Sequence, residues 1–202
     1  MPPIIIRLLV LLALVVVTGC TKPVVFAADE DVLAARYAHE GPAEIRFFNV
    51  ISNERGQGEH AALLINASER VLFDPAGTWQ HPQAPERHDV HFGMTDSLVH
   101  TYTYYHARRT HHVRIQTLEV PAEAAERILQ LAKEAGPVPD AYCARSIAGI
   151  LHQIPGFEDL PQTFYPNRLS DAFAELPGVT EERIYSDREP TERQTYTGLQ
   201  PS

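Results

Sequence analysis

Hydrophobic and polar positions follow two different periods along this chain. Segments Glu44–Ile51 and His60–Ile65 are rich in β-branched and aromatic residues, and the turn formers Asn53-Glu54-Arg55-Gly56-Gln57-Gly58 lie between them. His60-Ala61-Ala62-Leu63-Leu64-Ile65 is a near-continuous apolar run, the pattern of a strand covered on both faces. Asn66–Arg70 turns the chain into Val71-Leu72-Phe73-Asp74, where Pro75 and Gly77 stop the strand, so an antiparallel hairpin is predicted. After an irregular stretch rich in His and Pro, Leu98–Tyr105 and His112–Val120 read as further strands. At Pro121 the period becomes helical: Ala125, Ile128, Leu129 and Ala132 recur at three- and four-residue steps, and Gly136-Pro137 closes a helix ending at Ala135. Asp140 is the expected N-cap of a second helix with the stripe Ala144, Ile147, Ala148 and Leu151, and a third helix is expected over Arg168–Leu176. Strands first and helices after predict an α+β domain.

The first twenty residues obey neither period. MPPIIIRLLVLLALVVVTGC carries one basic residue, Arg7, before an apolar run from Leu8 to Val17 that is too short to span a bilayer. Its end, Val17-Thr18-Gly19-Cys20, resembles the bacterial lipoprotein processing box. That resemblance implies a signal peptide over residues 1–19 and acylation of Cys20 with chains such as palmitate. It also implies a lipid-anchored protein of the bacterial cell envelope, and Thr21 after the cysteine points to the outer membrane, facing the periplasm. Cleavage of an ordinary secretory peptide after Val25-Phe26-Ala27 is the other reading of the same segment. Residues 20–42 are then anchor and tether, 43–185 one domain, and 186–202 a polar tail.

Charge and cysteine usage narrow the possibilities. With 17 Lys and Arg against 26 Asp and Glu, and no basic run, the chain lacks the positive surface that nucleic acid requires. Its two cysteines cannot form a disulfide framework, and acylation of Cys20 would leave Cys143 without a partner.

Cys143 falls in the first turn of the second helix, where unpaired amides and the positive end of the helix dipole favour thiolate, although Asp140 is a like charge nearby. The position also suits a small buried residue beside the apolar stripe. His60 opens an apolar strand at a sheet end, and Asp74 ends the neighbouring strand, so a hairpin brings the two side by side. A carboxylate on one ring nitrogen leaves the other to take a proton from a thiol. A turn-capping Asp74 and a His60 packed in the rim are the bland alternative.

The His-Ala-Ala-Leu-Leu-Ile strand, the Val-Leu-Phe-Asp return and the helix start Tyr142-Cys143-Ala144-Arg145-Ser146 together resemble the papain-like NlpC-type superfamily in its circularly permuted form. In that form the His strand precedes the Cys helix. The resemblance implies a papain-like α+β fold, with an antiparallel sheet packed against the helix that bears the nucleophile. It assigns Cys143 as nucleophile, His60 as base and Asp74 as the residue that orients it. Tyr142 stands where unpermuted members usually have Asp, and the third position is Asp rather than His or Asn. The implied reaction is hydrolysis of an amide or ester, in a cell-wall peptide or an acyl substrate. The Cys143 amide would hold the oxyanion, with Tyr142 and Arg145 as candidates for a second donor.

The remaining histidines offer no metal-ligand spacing. His88-x-x-His91 lacks a helical stripe, His111 and His112 face opposite ways on a strand, and no His-Glu-x-x-His box is present, so no metal and no other cofactor is expected. His81, His106 and their neighbours read as solvated or as lining a loop beside the cleft, and Trp79 as a wall of the cleft or a packing residue. A second class of function fits the same residues: a non-catalytic envelope lipoprotein that binds a partner through the cleft or through Tyr102 and Tyr104 on one strand face.

Overall fold

A computed structural model describes residues 25–189. Helix α1 (Asp29–Ala35) leads into strands β1 (Glu44–Ser52), β2 (Gly58–Asn66), β3 (Arg70–Phe73), β4 (Glu86–Arg87) and β5 (Val90–Phe92). Helix α2 (Asp96–His106) and strand β6 (His111–Glu119) follow. Helices α3 (Ala122–Glu134), α4 (Cys143–Leu151) and α5 (Pro166–Ala174) then precede β7 (Thr180–Ile184). The seven strands form one sheet in the order β4-β5-β3-β2-β1-β6-β7, with every neighbouring pair antiparallel. The chain is thus an α+β protein with a seven-stranded antiparallel sheet.

The long apolar runs of β1 and β2 reflect their central position, because both faces of the sheet are covered. On one face Ile45, Phe47, Ala61, Leu63 and Ile65 pack under α3, α4 and α5, and Phe47 stacks on Phe173 of α5 with centroids 5.7 Å apart. On the other, Phe48, Ala62, Leu64 and Leu72 meet α2 and Trp79, and Phe48 meets the edge of Tyr102 at 5.5 Å. Fully buried Arg70 ties α2 to β3: its Nε donates to the Met94 carbonyl at 2.5 Å and its Nη2 to Asp96 Oδ1 at 2.6 Å.

The β1–β2–β3 hairpins, β6 and the three late helices lie within a few residues of their sequence expectations. Leu98–Tyr105 does not: it is helix α2 and not a strand. Its β-rich composition yields to the Thr95 cap, whose hydroxyl accepts the Leu98 amide at 3.3 Å, and to burial of Leu98, Val99, Tyr102 and Thr103 on one helical face. Tyr102 and Tyr104 therefore do not share a strand face. The cap of α4 is also different. Ala141 has a φ of 67°, which breaks helical geometry, so the N-cap position is Tyr142, no side chain caps it, and Cys143 is the first helical residue. Asp140 lies in the preceding turn. Strand β7, which no pattern indicated, is an exposed edge paired to β6, with Arg114 joined to Glu181 of β7 and Asp171 of α5. Within the segment read as a tether, α1 forms and Phe26 bridges to Arg87 of β4, held further by Arg87 pairing with Asp29.

Phe47 is completely buried between the sheet and α5, so Phe47→Ala should destabilise the protein by about 3–5 kcal/mol, read as a lower denaturation midpoint at an unchanged slope.

Candidate active site

The site forms where the sheet loses a strand. Pairing of β2 with β3 begins at Leu63–Phe73, so the first half of β2, from Gly58 to Ala62, keeps β1 on one side and has no β3 partner on the other. Beyond Phe73 the chain turns away: the Asp74 amide donates to the Asp89 carbonyl at 2.7 Å, and Asp74-Pro75-Ala76-Gly77 closes a β-turn through a 2.8 Å bond from the Gly77 amide to the Asp74 carbonyl. Helix α4 brings its first residue to the gap, where Cys143 packs against Ala61 in the open stretch of β2.

Alternation along β2 puts His60 on the same face as Ala62 and Leu64. One register step past the last pair puts Asp74 opposite Ala62, diagonal to His60. His60 Nε2 and Asp74 Oδ1 are 2.6 Å apart, with the carboxylate fully buried and the imidazole 16% exposed. That bond commits Nε2, so Nδ1 is the ring nitrogen left for the Cys143 thiol, which is close enough to the imidazole for each to shift the other's titration. Cys143, His60 and Asp74, picked out in the sequence, are thus brought together. Gly77 is required beside them, because a Cβ there would lie 1.8 Å from Asp74 Oδ2.

Charge is concentrated on these three groups. Burial opposes a positive His60, but the Asp74 carboxylate, by charge and hydrogen bond, together with Cys143, raises the imidazole to about 10. Burial likewise opposes an ionised Asp74, and His60 overcomes it, holding the carboxyl well below its usual range. Burial pushes the Cys143 thiol up, yet the His60 bond and charge and the amides of Ala61 and Ala144 bring it below an ordinary thiol. All three directions favour a thiolate–imidazolium pair supported by a carboxylate.

Around Asp74 stand residues that the sequence reading did not place there. Tyr102 of α2 donates its hydroxyl to the same Asp74 Oδ1 at 2.7 Å. His91, read as a loop residue, is buried with Nε2 3.9 Å from Asp74 Oδ2. The His106 ring lies nearly parallel to that of His60, with centroids 5.4 Å apart, and meets Tyr102 at 4.8 Å. The Thr95 cap and the helical spacing of Leu98, Tyr102 and His106 were the available signal, masked by the strand-like composition. Trp79 is buried, edge-on to both Tyr102 and His91, so it packs behind Asp74.

The two oxyanion candidates are otherwise engaged. The Tyr142 amide donates to the Pro139 carbonyl at 3.2 Å, while its exposed ring meets Phe164 edge-on at 4.9 Å. Arg145 hydrogen-bonds Gln162. Cys20 and the processing box lie outside the described residues. Among the described residues no helix is long and apolar enough to cross a membrane.

Potential metal ligands are also arranged differently from the sequence pattern. His60, Asp74 and His106 offer ligand atoms within 4.8 Å of one another, and His106 Nε2 and Asp74 Oδ2 are buried without a hydrogen-bond partner. A divalent ion there would compete directly with the His60–Asp74 bond. His111 and His112 are occupied by Glu59 and Asn53, at 2.9 and 2.7 Å. A cleft of about 340 Å³ opens beside His60 and His106, between Glu59, Thr78, Tyr105 and Arg108.

Comparison with known protein families, curated proteins and solved structures found no match.

Two imidazoles contribute limbs of opposite sign to the stability profile, beside the acid limbs of buried Asp74 and His91. Burial, and then the neighbouring His60 charge, hold His106 at about 3. Between its ordinary 6.5 and that value only the unfolded chain gains the proton, so the contribution of His106 is present above pH 6.5 and lost as pH falls. For His60 the sign reverses: its contribution is fully present below 6.5 and is lost as pH rises through about 10. Thermal melts across pH should show both limbs, and His106→Asn should make the acid limb shallower between about pH 6.5 and 3 while keeping the alkaline one.

Proposed function

We propose that this chain is a thiol hydrolase of amide or ester bonds, with Cys143 as nucleophile, His60 as base and Asp74 as the group that orients and charges the imidazole. One observation carries the reading: a cysteine at the first position of a helix meets an imidazole whose far nitrogen is 2.6 Å from a buried carboxylate. Cys143 is buried beside Ala144 and Ile147, as a structural cysteine would be, but a structural cysteine has no need of that pair, and a solvated histidine would not hold its carboxylate fully buried.

In the proposed reaction the Cys143 thiolate attacks the carbonyl carbon, and the tetrahedral oxyanion forms next to the helix start. The Cys143 amide, in the first turn of α4 where no intrahelical acceptor exists, is the donor at that point. Imidazolium His60 then gives its proton to the leaving nitrogen or oxygen, leaving a thioester. Neutral His60 next takes a proton from water, whose oxygen attacks the thioester, and the thiolate–imidazolium pair returns with release of the acid. Asp74 stays ionised throughout, and Tyr102 fixes its orientation.

The element order, with the His strand before the Cys helix, supports a circularly permuted papain-like architecture of the NlpC type. Together with the lipoprotein-like processing box, it supports a hydrolase anchored through Cys20 in the bacterial envelope, facing the periplasm, where cell-wall peptides and acyl groups are both within reach.

Iodoacetamide labelling of the full chain from pH 5 to 9, with Cys143 followed by peptide mass, tests the pair. Cys143 should react well below the free-thiol range of about 8.5, and His60→Ala should abolish that low-pH reactivity. Cys143→Ser should remove turnover of peptide or acyl-ester substrates while leaving the melting temperature within a few degrees. A Cys143 that labels only on unfolding would overturn the hydrolase and leave the non-catalytic binding lipoprotein.

A further inference from the structure

The turn between β4 and β5 consists of His88 and Asp89 alone, and both are left-handed, with φ of 46° and 64°. Such a two-residue turn normally recruits Asn-Gly or Gly-Gly, since a Cβ is unfavourable at these angles. Strained non-glycine backbone persists where its surroundings hold it, and here two hydrogen bonds do so. The Asp89 carbonyl accepts the Asp74 amide at 2.7 Å, and Asp89 Oδ2 accepts the Val138 amide at 2.7 Å.

Those two partners belong to opposite halves of the site. Asp74 carries the carboxylate on His60, and Val138 lies in the short loop from α3 to α4, five residues before Cys143. The same loop holds left-handed Ala141, which sets where α4 begins. Among the described residues no strand pairing links the sheet to this loop, and the Asp89 side chain is a direct polar tie between the carboxylate side and the thiol side.

We propose that Asp89 is a positioning residue for the thiol pair, a clamp that fixes the start of α4, and with it Cys143, relative to Asp74 and His60. The inference rests on the thiol-hydrolase reading and adds to it a residue that touches neither substrate nor thiol. It also accounts for an aspartate where the backbone alone favours glycine: glycine would relieve the angle but release the loop.

Asp89→Gly separates the two roles, because it suits the backbone and removes only the carboxylate. In the full chain it should melt within a few degrees of wild type, while Cys143 alkylation at pH 6.5 falls by about tenfold or more and its pH profile moves towards an ordinary thiol. Amide exchange at Val138 should accelerate. Asp89→Asn, which keeps a side-chain acceptor at the same reach, should restore most of the reactivity. If Asp89→Gly fails to fold, Asp89→Ser, with a hydroxyl too short to reach Val138, takes its place with the same readout. An Asp89→Gly or Asp89→Ser protein with the wild-type pH profile would overturn the clamp and leave the hydrolase standing. A wild-type Cys143 that titrates as an ordinary thiol would overturn both.

Discussion

The bond between His60 Nε2 and Asp74 Oδ1, 2.6 Å long and closed off from water on the carboxylate side, is the constraint around which the site is organised. A buried carboxylate is costly unless its charge is met, and a buried imidazolium is costly for the same reason. Each makes the other tolerable. The charge that accumulates on His60 then becomes available to Cys143 through the second ring nitrogen. Tyr102 adds a neutral donor to the same oxygen, and His106 stays uncharged beside them, first because it is fully buried and then because a second positive ring next to His60 is unfavourable.

The fold supplies what such a pair needs. The early end of β3 leaves half of β2 open on one side, and the N-terminus of α4 fills the gap. The helix brings a thiol and first-turn amides to the same place, which a continued strand would have excluded. Behind the site, Arg70 anchors α2 to β3, and α2 in turn presents Tyr102 and His106 to Asp74. Asp89 links Asp74 to the loop that leads into α4. The geometry is therefore held from both faces of the sheet, and the apolar layers on each face keep the elements from sliding.

The three central side chains were legible because each stands at a position that sequence periodicity locates: a strand start, a strand end and a helix start. The surrounding residues were not. Tyr102 and His106 lie on a segment whose valine, threonines and tyrosines favour a strand, and only tertiary burial of one helical face reverses that preference. His91 sits on a three-residue strand too short to show a period, and its approach to Asp74 is a consequence of β3–β5 pairing. The cap of α4 was misplaced because Asp140 is a good capping residue by type, while the left-handed turn at Ala141 decides where the helix starts.

By itself the sequence determined the α+β succession, the central hairpins and the late helices, since all of these depend on local period and turn chemistry. It also singled out Cys143, His60 and Asp74 as chemically compatible. Only the tertiary structure decided that α2 is a helix, that β7 joins the sheet edge, and that Tyr102, His91, His106 and Asp89 converge on Asp74 or its backbone. The reason is physical: period and capping act over a few residues, whereas a buried carboxylate collects partners from segments up to 32 positions away in the chain, as His106 is from Asp74. Such partners meet only after the sheet and its helices have packed.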